Sequence, residues 1–404
     1  MQNPLAQPEP ALPAPPLSFD DTSIAFSSKS DRELRRTYWL FAAINQPWLT
    51  DLGTGILQRA LRWHLPVKGL VKATIFDHFV GGETIADCEH TIQSLAQYGI
   101  GTILDYSVEG EKTEQGFEQT TRETIATIEK AATTPNLPFT VFKMTGVASF
   151  LLLKKKQAGE PLSAKEQEAW QRVEARVDRI CRTAHANGVP VFIDGEETWI
   201  QDVIDEVAYA MMRKYNQERA LVYNTFQLYT KAGLAKLRRA HHQAVMHHYY
   251  LGAKLVRGAY MEKERDRAER KGYPDPIQPS KEATDHDYHK GLLFCLNEKQ
   301  RISLCAGTHN EYSCYYLAAA MEKHGIAPND PRVWFAQLYG MGDNISYNLA
   351  HAGYNVAKYV PYGPVQAVIP YLIRRADENT SVAGQSSREF TLIQRELARR
   401  KAQA

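Results

Sequence analysis

Two adjacent arginines stand beside a tyrosine in the segment PYGPVQAVIPYLIRRADENTSV, near the end of the sequence. If a helix begins at about Pro364, then Tyr371, Arg374, Arg375 and Glu378 share one of its faces. Paired guanidinium groups bind a carboxylate through parallel hydrogen bonds, so this face could hold an organic acid. Glu378 could also pair with either arginine on a solvated face, and the spacing leaves both interpretations open. The packing face is expected to carry Val365, Val368, Leu372 and Ile373.

Polar residues also stand where six apolar runs of the sequence stop. The strands of a parallel α/β barrel end at one common face, so these residues would line a shared and partly charged pocket. A lysine in such a pocket could act as the Schiff-base amine of a lyase or aldolase, which makes Lys143 a candidate nucleophile. The residues at the ends of the runs are Lys143, Asp194, Gln227, Lys254, Arg257, Thr308, His309 and Tyr359.

Short apolar runs alternate with long amphipathic stretches, which is typical of repeated βα units. Eight runs favour an α/β fold, a closed TIM-like (βα)8 barrel, over an open doubly wound sheet, if ATIFDHFV (73–80) is not a ninth strand. No GxGxxG follows a run, so a Rossmann nucleotide site is not expected. Two amphipathic stretches end in glycine, which predicts helix C-caps at Gly188 and Gly252. The runs are 101–109, 138–146, 190–197, 220–229, 253–261, 301–310, 333–342 and 356–363.

Composition restricts the possible partners. The 404 residues include 48 basic and 46 acidic side chains, a balance that lacks the basic excess typical of nucleic-acid binders. The five cysteines are scattered without paired spacing, which indicates a reducing, intracellular compartment and neither a zinc site nor a disulfide framework.

Two clusters could suggest a metal ion, but none is expected. Asp285 and Asp287 are close enough to form a metal pair, yet their position favours capping of the helix that follows. A histidine cluster matches no HExxH motif and is expected to have a surface or packing role. Its members are His241, His242, His247 and His248.

The sequence divides into four parts. Residues 1–29 are proline-rich and match neither a transit nor a secretory peptide, so a disordered leader is expected. Residues 30–82 are expected to form an N-terminal helical segment, 83–385 the barrel and 386–404 a helical tail. No run approaches the roughly 18 apolar residues that cross a bilayer, so any membrane contact would be peripheral. Apolar faces within 38–52 could make that contact or pack on the core.

Three stretches resemble the proline dehydrogenase family, in its monofunctional, eukaryote-like branch. They are KLVRGAYMEKER, the THN after the sixth run and YVPYGPVQAVIPYLIRRADEN, and the likeness extends from about Ser28 to Lys401. The resemblance implies a distorted (βα)8 barrel that binds FAD and carries a final helix over its mouth. It also implies oxidation of L-proline to Δ1-pyrroline-5-carboxylate, with electrons passed to a membrane quinone.

The resemblance also implies a role for each matching residue. The proline carboxylate would be held by Arg374, Arg375 and Lys143. The proline ring would be surrounded by Tyr260, Tyr359 and Tyr371. The catalytic polar network would consist of Lys143, Asp194 and Lys254. The residues near FAD would be Gly195, Gln227, Lys254, Arg257, Gly258, Ala259, Thr308 and His309, with Glu378 orienting the arginine pair.

Further expectations follow from the resemblance. Many prokaryotic members have arginine at the position of Lys254 and lysine at that of Arg257, and the eukaryote-like branch shares the exchange seen here. Tyr359 implies a preference for proline over hydroxyproline, because the hydroxyproline branch has a small residue there. No aldehyde dehydrogenase segment follows the barrel, so a separate enzyme is expected to oxidise the product. The expected location is the cytoplasmic face of a bacterial inner membrane. The alternatives are the lyase and a non-catalytic barrel whose leader docks partners.

Overall fold

A closed barrel of eight parallel strands forms the centre of the protein. The computed structural model describes residues 17–44, 75–107, 111–381 and 385–403, apart from the side chains of 43–44, 374–381 and 385–387. The strands are β1 (Ile100–Tyr106), β2 (Phe139–Phe142), β3 (Val191–Ile193), β4 (Val222–Gln227), β5 (Leu251–Val256), β6 (Ile302–Gly307), β7 (Val333–Leu338) and β8 (Val356–Tyr362). Each strand pairs with the next in sequence, and β8 closes the barrel on β1. The predicted barrel is confirmed.

Aromatic side chains fill the barrel interior. Phe139 and Phe192 stack with ring centres 4.4 Å apart, and Tyr223 meets both rings edge-on. Tyr359 lies parallel to Phe192 at 6.2 Å. The strands are covered by these rings inside and by helices outside, so nearly every strand residue is buried. This two-sided burial explains why the runs are largely apolar and show no strict alternation.

Helices surround the barrel and extend beyond it. Within the described ranges they are α1 (Thr22–Ala25), α2 (Asp31–Ile44), α3 (Asp77–Phe79), α4 (Glu89–Ala96), α5 (Glu114–Ala132), α6 (Met144–Val147), α7 (Phe150–Gln157), α8 (Ala164–Asn187), α9 (Thr198–Tyr215), α10 (Gly233–Met246), α11 (Met261–Lys271), α12 (Lys281–Asn297), α13 (Glu311–Lys323), α14 (Asp343–His351), α15 (Val365–Ser381) and α16 (Gln385–Gln403). Residues 75–79 form helical turns, so the described part of the run 73–80 is not a strand. No helix built from the described residues is both long and apolar enough to span a bilayer.

The two glycines predicted as helix C-caps have different roles. Gly188 ends α8 with φ 65°, so the first prediction is confirmed. The second prediction is wrong, because α10 ends at Met246 and Gly252 lies inside β5. A Cβ atom at Gly252 would come within 2.5 Å of the Val222 carbonyl oxygen, so the close approach of β4 and β5 requires glycine there.

The N-terminal and C-terminal helices pack together beside the barrel. Helices α1, α2 and α16 share a buried apolar cluster, and Tyr38 of α2 stacks on Phe390 of α16 with ring centres 5.0 Å apart. Lys29 also pairs with Asp343 at the start of α14, at 3.0 Å. The cluster consists of Ala25, Phe26, Leu34, Phe41, Leu392 and Ile393.

Helix α15 starts at the carboxyl end of β8 and packs onto the end of the barrel. Val365, Val368 and Leu372 are buried, as the helical pattern predicts, beside Leu338 at the end of β7. Tyr371 lies in this same buried cluster. The reason is that the apolar stripe of a packed helix is wide enough to include the residue next to Leu372.

Candidate active site

Four side chains meet at the carboxyl ends of β2, β3, β5 and β8. Lys143 directly follows β2 and Asp194 directly follows β3, whereas Lys254 and Tyr359 lie within β5 and β8. The Lys143 Nζ atom lies 3.1 Å from one Asp194 oxygen, and the Lys254 Nζ atom lies 2.5 Å from the other. Lys254 also donates a hydrogen bond to the Tyr359 hydroxyl oxygen at 2.6 Å. We call these four residues the mouth cluster.

The charges of the mouth cluster do not cancel. Burial alone would raise the pKa of Asp194, but the ammonium groups of Lys254 and Lys143 outweigh it and hold that pKa below its usual value. One carboxylate is therefore shared by two ammonium groups, which leaves an excess of positive charge. The Lys143 side chain is 24% exposed and that of Lys254 is 8% exposed, so Lys143 is the more open to an added anion. The cluster is suited to the carboxylate of a small ligand.

Tyr359 is fixed in position by the same cluster. The Lys254 ammonium group lies 4.5 Å from the centre of the Tyr359 ring, and Phe192 lies parallel on the interior side. Burial, followed by the charge of Asp194, raises the pKa of Tyr359, so the hydroxyl group keeps its proton. Because Lys254 already donates to the hydroxyl oxygen, the Tyr359 proton remains free to be donated elsewhere.

Arg257 directly follows β5 and is held by three hydrogen bonds. Its Nε donates to Asp285 at 2.7 Å, while Nη1 and Nη2 donate to the Thr308 and Ser313 hydroxyl oxygens, each at 2.8 Å. The guanidinium carbon also lies 4.5 Å from the centre of the Tyr288 ring. The predicted cofactor residues Arg257 and Thr308 are thus in direct contact.

The expected capping role of the two aspartates is wrong. The N-cap of α12 is Ser280, whose side chain accepts from the backbone of the first turn. Asp285 lies inside that helix and pairs with Arg257, and Asp287 accepts a hydrogen bond from Gln278 at 2.7 Å. Sequence spacing could not reveal the Asp285 contact, because its partner lies on a different barrel element.

Gln227, the last residue of β4, is buried beside Gly195. Its Nε2 donates to the Glu196 carbonyl oxygen at 2.7 Å. A Cβ atom at Gly195 would come within 3.0 Å of the Gln227 amide carbon, so glycine leaves room for this side chain. The fold therefore brings these two predicted cofactor residues together.

The other predicted cofactor residues lie along the ends of β5 and β6. His309 follows β6, and its Nε2 accepts a hydrogen bond from the Leu338 backbone at 3.1 Å. Gly258 has a φ of 144°, a conformation that favours glycine, and both Gly258 and Ala259 are exposed. Tyr260 is half-buried at the start of α11, with the Lys263 ammonium group 5.8 Å from its ring centre.

The side chains of Arg374, Arg375 and Glu378 lie outside the described part of the structure. Their backbone belongs to α15, the helix that starts at the carboxyl end of β8. Their roles in binding stay a prediction.

Glu196 is a buried carboxyl group that the sequence reasoning missed. Thr145 donates to it through its backbone N–H at 3.0 Å and through its hydroxyl group. Burial raises the pKa of Glu196 to about 7, although the Thr145 hydrogen bonds act in the opposite direction. The motif DGEE was a signal for this site, but two successive acids do not reveal that both are buried or that Glu196 accepts from Thr145.

The histidine cluster lies away from the mouth of the barrel. His241 packs edge-on against Phe294, with ring centres 5.4 Å apart, while His242, His247 and His248 are exposed. These positions agree with the expected packing or surface role.

Known proteins are similar to this chain in both sequence and fold. The family model described as proline dehydrogenase matches residues 88–388. Proline dehydrogenase 1, mitochondrial, from Dictyostelium discoideum is 31% identical over 426 residues, which cover 94% of this chain and 74% of that protein. Hydroxyproline dehydrogenase from Xenopus laevis is 33% identical over 422 residues, which cover 95% of this chain and 90% of that protein.

The fold also resembles a larger solved protein. Proline utilization A from Bdellovibrio bacteriovorus, inactivated by N-propargylglycine, aligns with a TM-score of 0.70 at 19% identity. The alignment covers 90% of this chain and 38% of that one. Given the family match over most of the barrel and relatives at this level of identity, the chain belongs to the proline dehydrogenase family of oxidoreductases.

Proposed function

We propose that this protein oxidises L-proline to Δ1-pyrroline-5-carboxylate with FAD as its cofactor and a membrane quinone as electron acceptor. The observation that carries the proposal is the mouth cluster, in which two lysines share one aspartate beside a fixed tyrosine. Such a cluster suits a small substrate that carries a carboxylate and an apolar ring.

The residues at the ends of β4, β5 and β6 fit a flavin dinucleotide. Three of the five N–H groups of Arg257 are used in its contacts with described residues, so two N–H groups can donate to a phosphate or ring oxygen. The side-chain carbonyl oxygen of Gln227 has no hydrogen-bond partner among the described residues and can accept from the cofactor. Exposed backbone at Gly258 allows close approach of a ligand.

FAD, when bound, supplies the acceptor for the hydride that leaves the substrate carbon. The protein contributes binding and orientation. Lys143, Arg374 and Arg375 bind the substrate carboxylate, and Glu378 orients the arginine pair. Tyr260, Tyr359 and Tyr371 surround the substrate ring.

The positive charge of the mouth cluster also affects the protonation of the substrate ring nitrogen. Hydride loss requires a ring nitrogen without its extra proton, and nearby positive charge favours that neutral form. Asp194 is a weak base because its lysine partners lower its pKa. Its role is to hold Lys143 and Lys254 in place rather than to remove the proton.

Lys143 is poorly suited to the alternative Schiff-base chemistry. A Schiff-base lysine must lose its proton to become a nucleophile, and the Asp194 oxygen 3.1 Å away stabilises the ammonium form instead. This ion pair favours the proposed dehydrogenase function over a lyase or aldolase function.

We also propose that the protein attaches peripherally to the cytoplasmic face of a bacterial inner membrane, where the quinone is found. The exposed face of α2 carries Arg32, Arg35, Arg36 and Trp39, and the Trp39 side chain is 71% exposed. Basic residues beside an exposed tryptophan suit anionic headgroups. The five free cysteines are all buried as thiols, which fits a reducing compartment. A separate dehydrogenase then consumes the product.

The reaction is tested by following ¹³C-labelled L-proline by NMR in the presence of enzyme, FAD and a soluble quinone analogue. We expect the C5 signal to move to the imine region as the quinone is consumed in equal amount. Unchanged proline, or loss of proline without quinone reduction, would rule the proposal out.

A further inference from the structure

The side-chain amide of Gln227 is held in one orientation by the backbone of Glu196 and the side chain of Gln201. The Gln227 Nε2 donates to the Glu196 carbonyl oxygen at 2.7 Å, and the Glu196 backbone N–H donates to Gln201 Oε1, also at 2.7 Å. A carbonyl oxygen can only accept and a backbone N–H can only donate, so these contacts fix which end of each amide is nitrogen. The Gln227 Nε2 also lies 3.4 Å from Gln201 Oε1.

The chain of contacts continues away from the barrel through α9. Gln201 Nε2 donates to Asp205 Oδ1 at 2.8 Å, and Asn224 of β4 donates to that same oxygen at 2.8 Å. Lys236 of α10 reaches the other Asp205 oxygen at 3.2 Å. Gln201 and Asp205 are both buried, so an amide in the reverse orientation would leave polar groups unsatisfied.

Both hydrogens of the Gln227 amide face acceptors in this chain. Its carbonyl oxygen has no partner among the described residues and is therefore left as the acceptor. From this geometry we propose that Gln201 and Asp205 are positioning residues, which hold Gln227 so that its carbonyl oxygen accepts a ring N–H of the bound cofactor. This inference rests on the proposed use of FAD and adds two residues that do not touch it.

The test is the dissociation constant of FAD, measured by titrating apoprotein and following flavin fluorescence. Gln201→Met keeps the length of the side chain but removes both of its hydrogen-bonding ends. We expect it to weaken FAD binding on the order of 10-fold, as expected for a misplaced buried partner. Gln157→Met is the matched control, because Gln157 bonds to the start of α9 through Thr198 and Asp202 and does not contact Gln227. It should bind FAD as the wild type does.

A double-mutant cycle separates positioning from general loss of structure. In the Gln227→Met background, Gln201→Met should have little further effect on FAD binding, because its target is already gone. 3-Methyl-FAD, which lacks the ring N–H, should bind the wild type and Gln201→Met about equally. Additive losses, or an unchanged constant in Gln201→Met, would overturn the inference. If the wild-type protein binds no FAD, it is the proposed function that fails.

Discussion

Lys254 donates a hydrogen bond of 2.6 Å to the hydroxyl oxygen of Tyr359. Within the mouth cluster, this contact joins the charged groups to the aromatic side chain that borders the apolar interior of the barrel. Lys254 is also paired with Asp194, so the position of the Tyr359 ring depends on the same charges that we propose hold the substrate. The position of the ring that is proposed to select the substrate therefore depends on the charges that are proposed to bind the substrate carboxylate.

Tyr359 is expected to exclude trans-4-hydroxyproline because its fixed ring occupies the space that the extra hydroxyl needs. Tyr359→Ser should raise the ratio of kcat/KM for hydroxyproline to that for proline on the order of 10-fold. Tyr359→Phe keeps the ring and should leave the ratio low. The ratio is measured with both substrates under identical conditions. A wild-type enzyme that uses both substrates equally well would contradict the role of Tyr359.

Arg375 is proposed to bind the substrate carboxylate with two parallel hydrogen bonds. Arg375→Met should raise KM and lower kcat/KM roughly 30- to 150-fold. This corresponds to a loss of about 2–3 kcal/mol of transition-state stabilisation. Arg395→Met is the control, since Arg395 is half-exposed on α16 and pairs with Asp20. Steady-state kinetics with L-proline check both variants. A normal KM in Arg375→Met would show that the clamp is misassigned.

Asp194 pairs with two buried or partly buried lysines. Asp194→Asn should lower the free energy of unfolding by about 3–5 kcal/mol, because the buried Lys254 then loses the carboxylate with which it pairs. Adding Lys254→Met should restore part of the stability but none of the activity. Urea unfolding curves of the three proteins measure this. If the single variant is as stable as the wild type, Asp194 does not balance the lysines.

Glu196 should make stability depend on pH. Its pKa in the folded state, about 7, lies above the value of about 4.3 expected for an unfolded chain. Between these values the folded state binds the extra proton, so the free energy of unfolding falls as pH rises from about 4.3 to 7. Glu196→Gln should remove this loss, which amounts to about 3–4 kcal/mol.

Urea unfolding of wild type and Glu196→Gln between pH 5 and pH 8 measures the effect of Glu196. The stability difference between the two proteins should shift in favour of the variant as pH rises and level off above about 7. A difference that stays constant over this range would mean that Glu196 does not titrate there.

The exposed face of α2 should bind anionic membranes. Trp39→Ala and the double variant Arg32→Ala/Arg35→Ala should each lower cosedimentation with vesicles that contain phosphatidylglycerol, and the arginine variant should lose the salt dependence of binding. Tyr312→Ala and Arg182→Ala remove exposed side chains elsewhere and should bind as the wild type does. Equal binding of all five proteins would place any membrane contact on another surface.

The barrel was predictable because burial on both faces leaves a clear record in the sequence. Each strand is a short, largely apolar run, and residues such as Lys143 and Asp194 follow directly where a strand ends. The topology of a parallel barrel then brings those ends together without further information. The strand count therefore predicts a shared face for these residues, whereas their individual contacts come from the structure.

Contacts between distant elements were not predictable. The Arg257–Asp285 pair joins a strand end to a helix, and no local spacing marks it. The burial of Tyr371 beside Leu372 was not predictable, because a helical pattern does not show how wide a packed stripe becomes. Gly252 resembled a helix cap, although the close approach of two strands explains it.

We propose above that the mouth cluster presents L-proline to a bound flavin. The most direct measurement is the visible spectrum of the FAD-loaded protein before and after L-proline is added without oxygen. We expect a yellow protein whose absorbance near 450 nm, the usual band of oxidised flavins, is lost on adding proline. Failure of the purified protein to take up FAD, or a spectrum unchanged by proline, would contradict it.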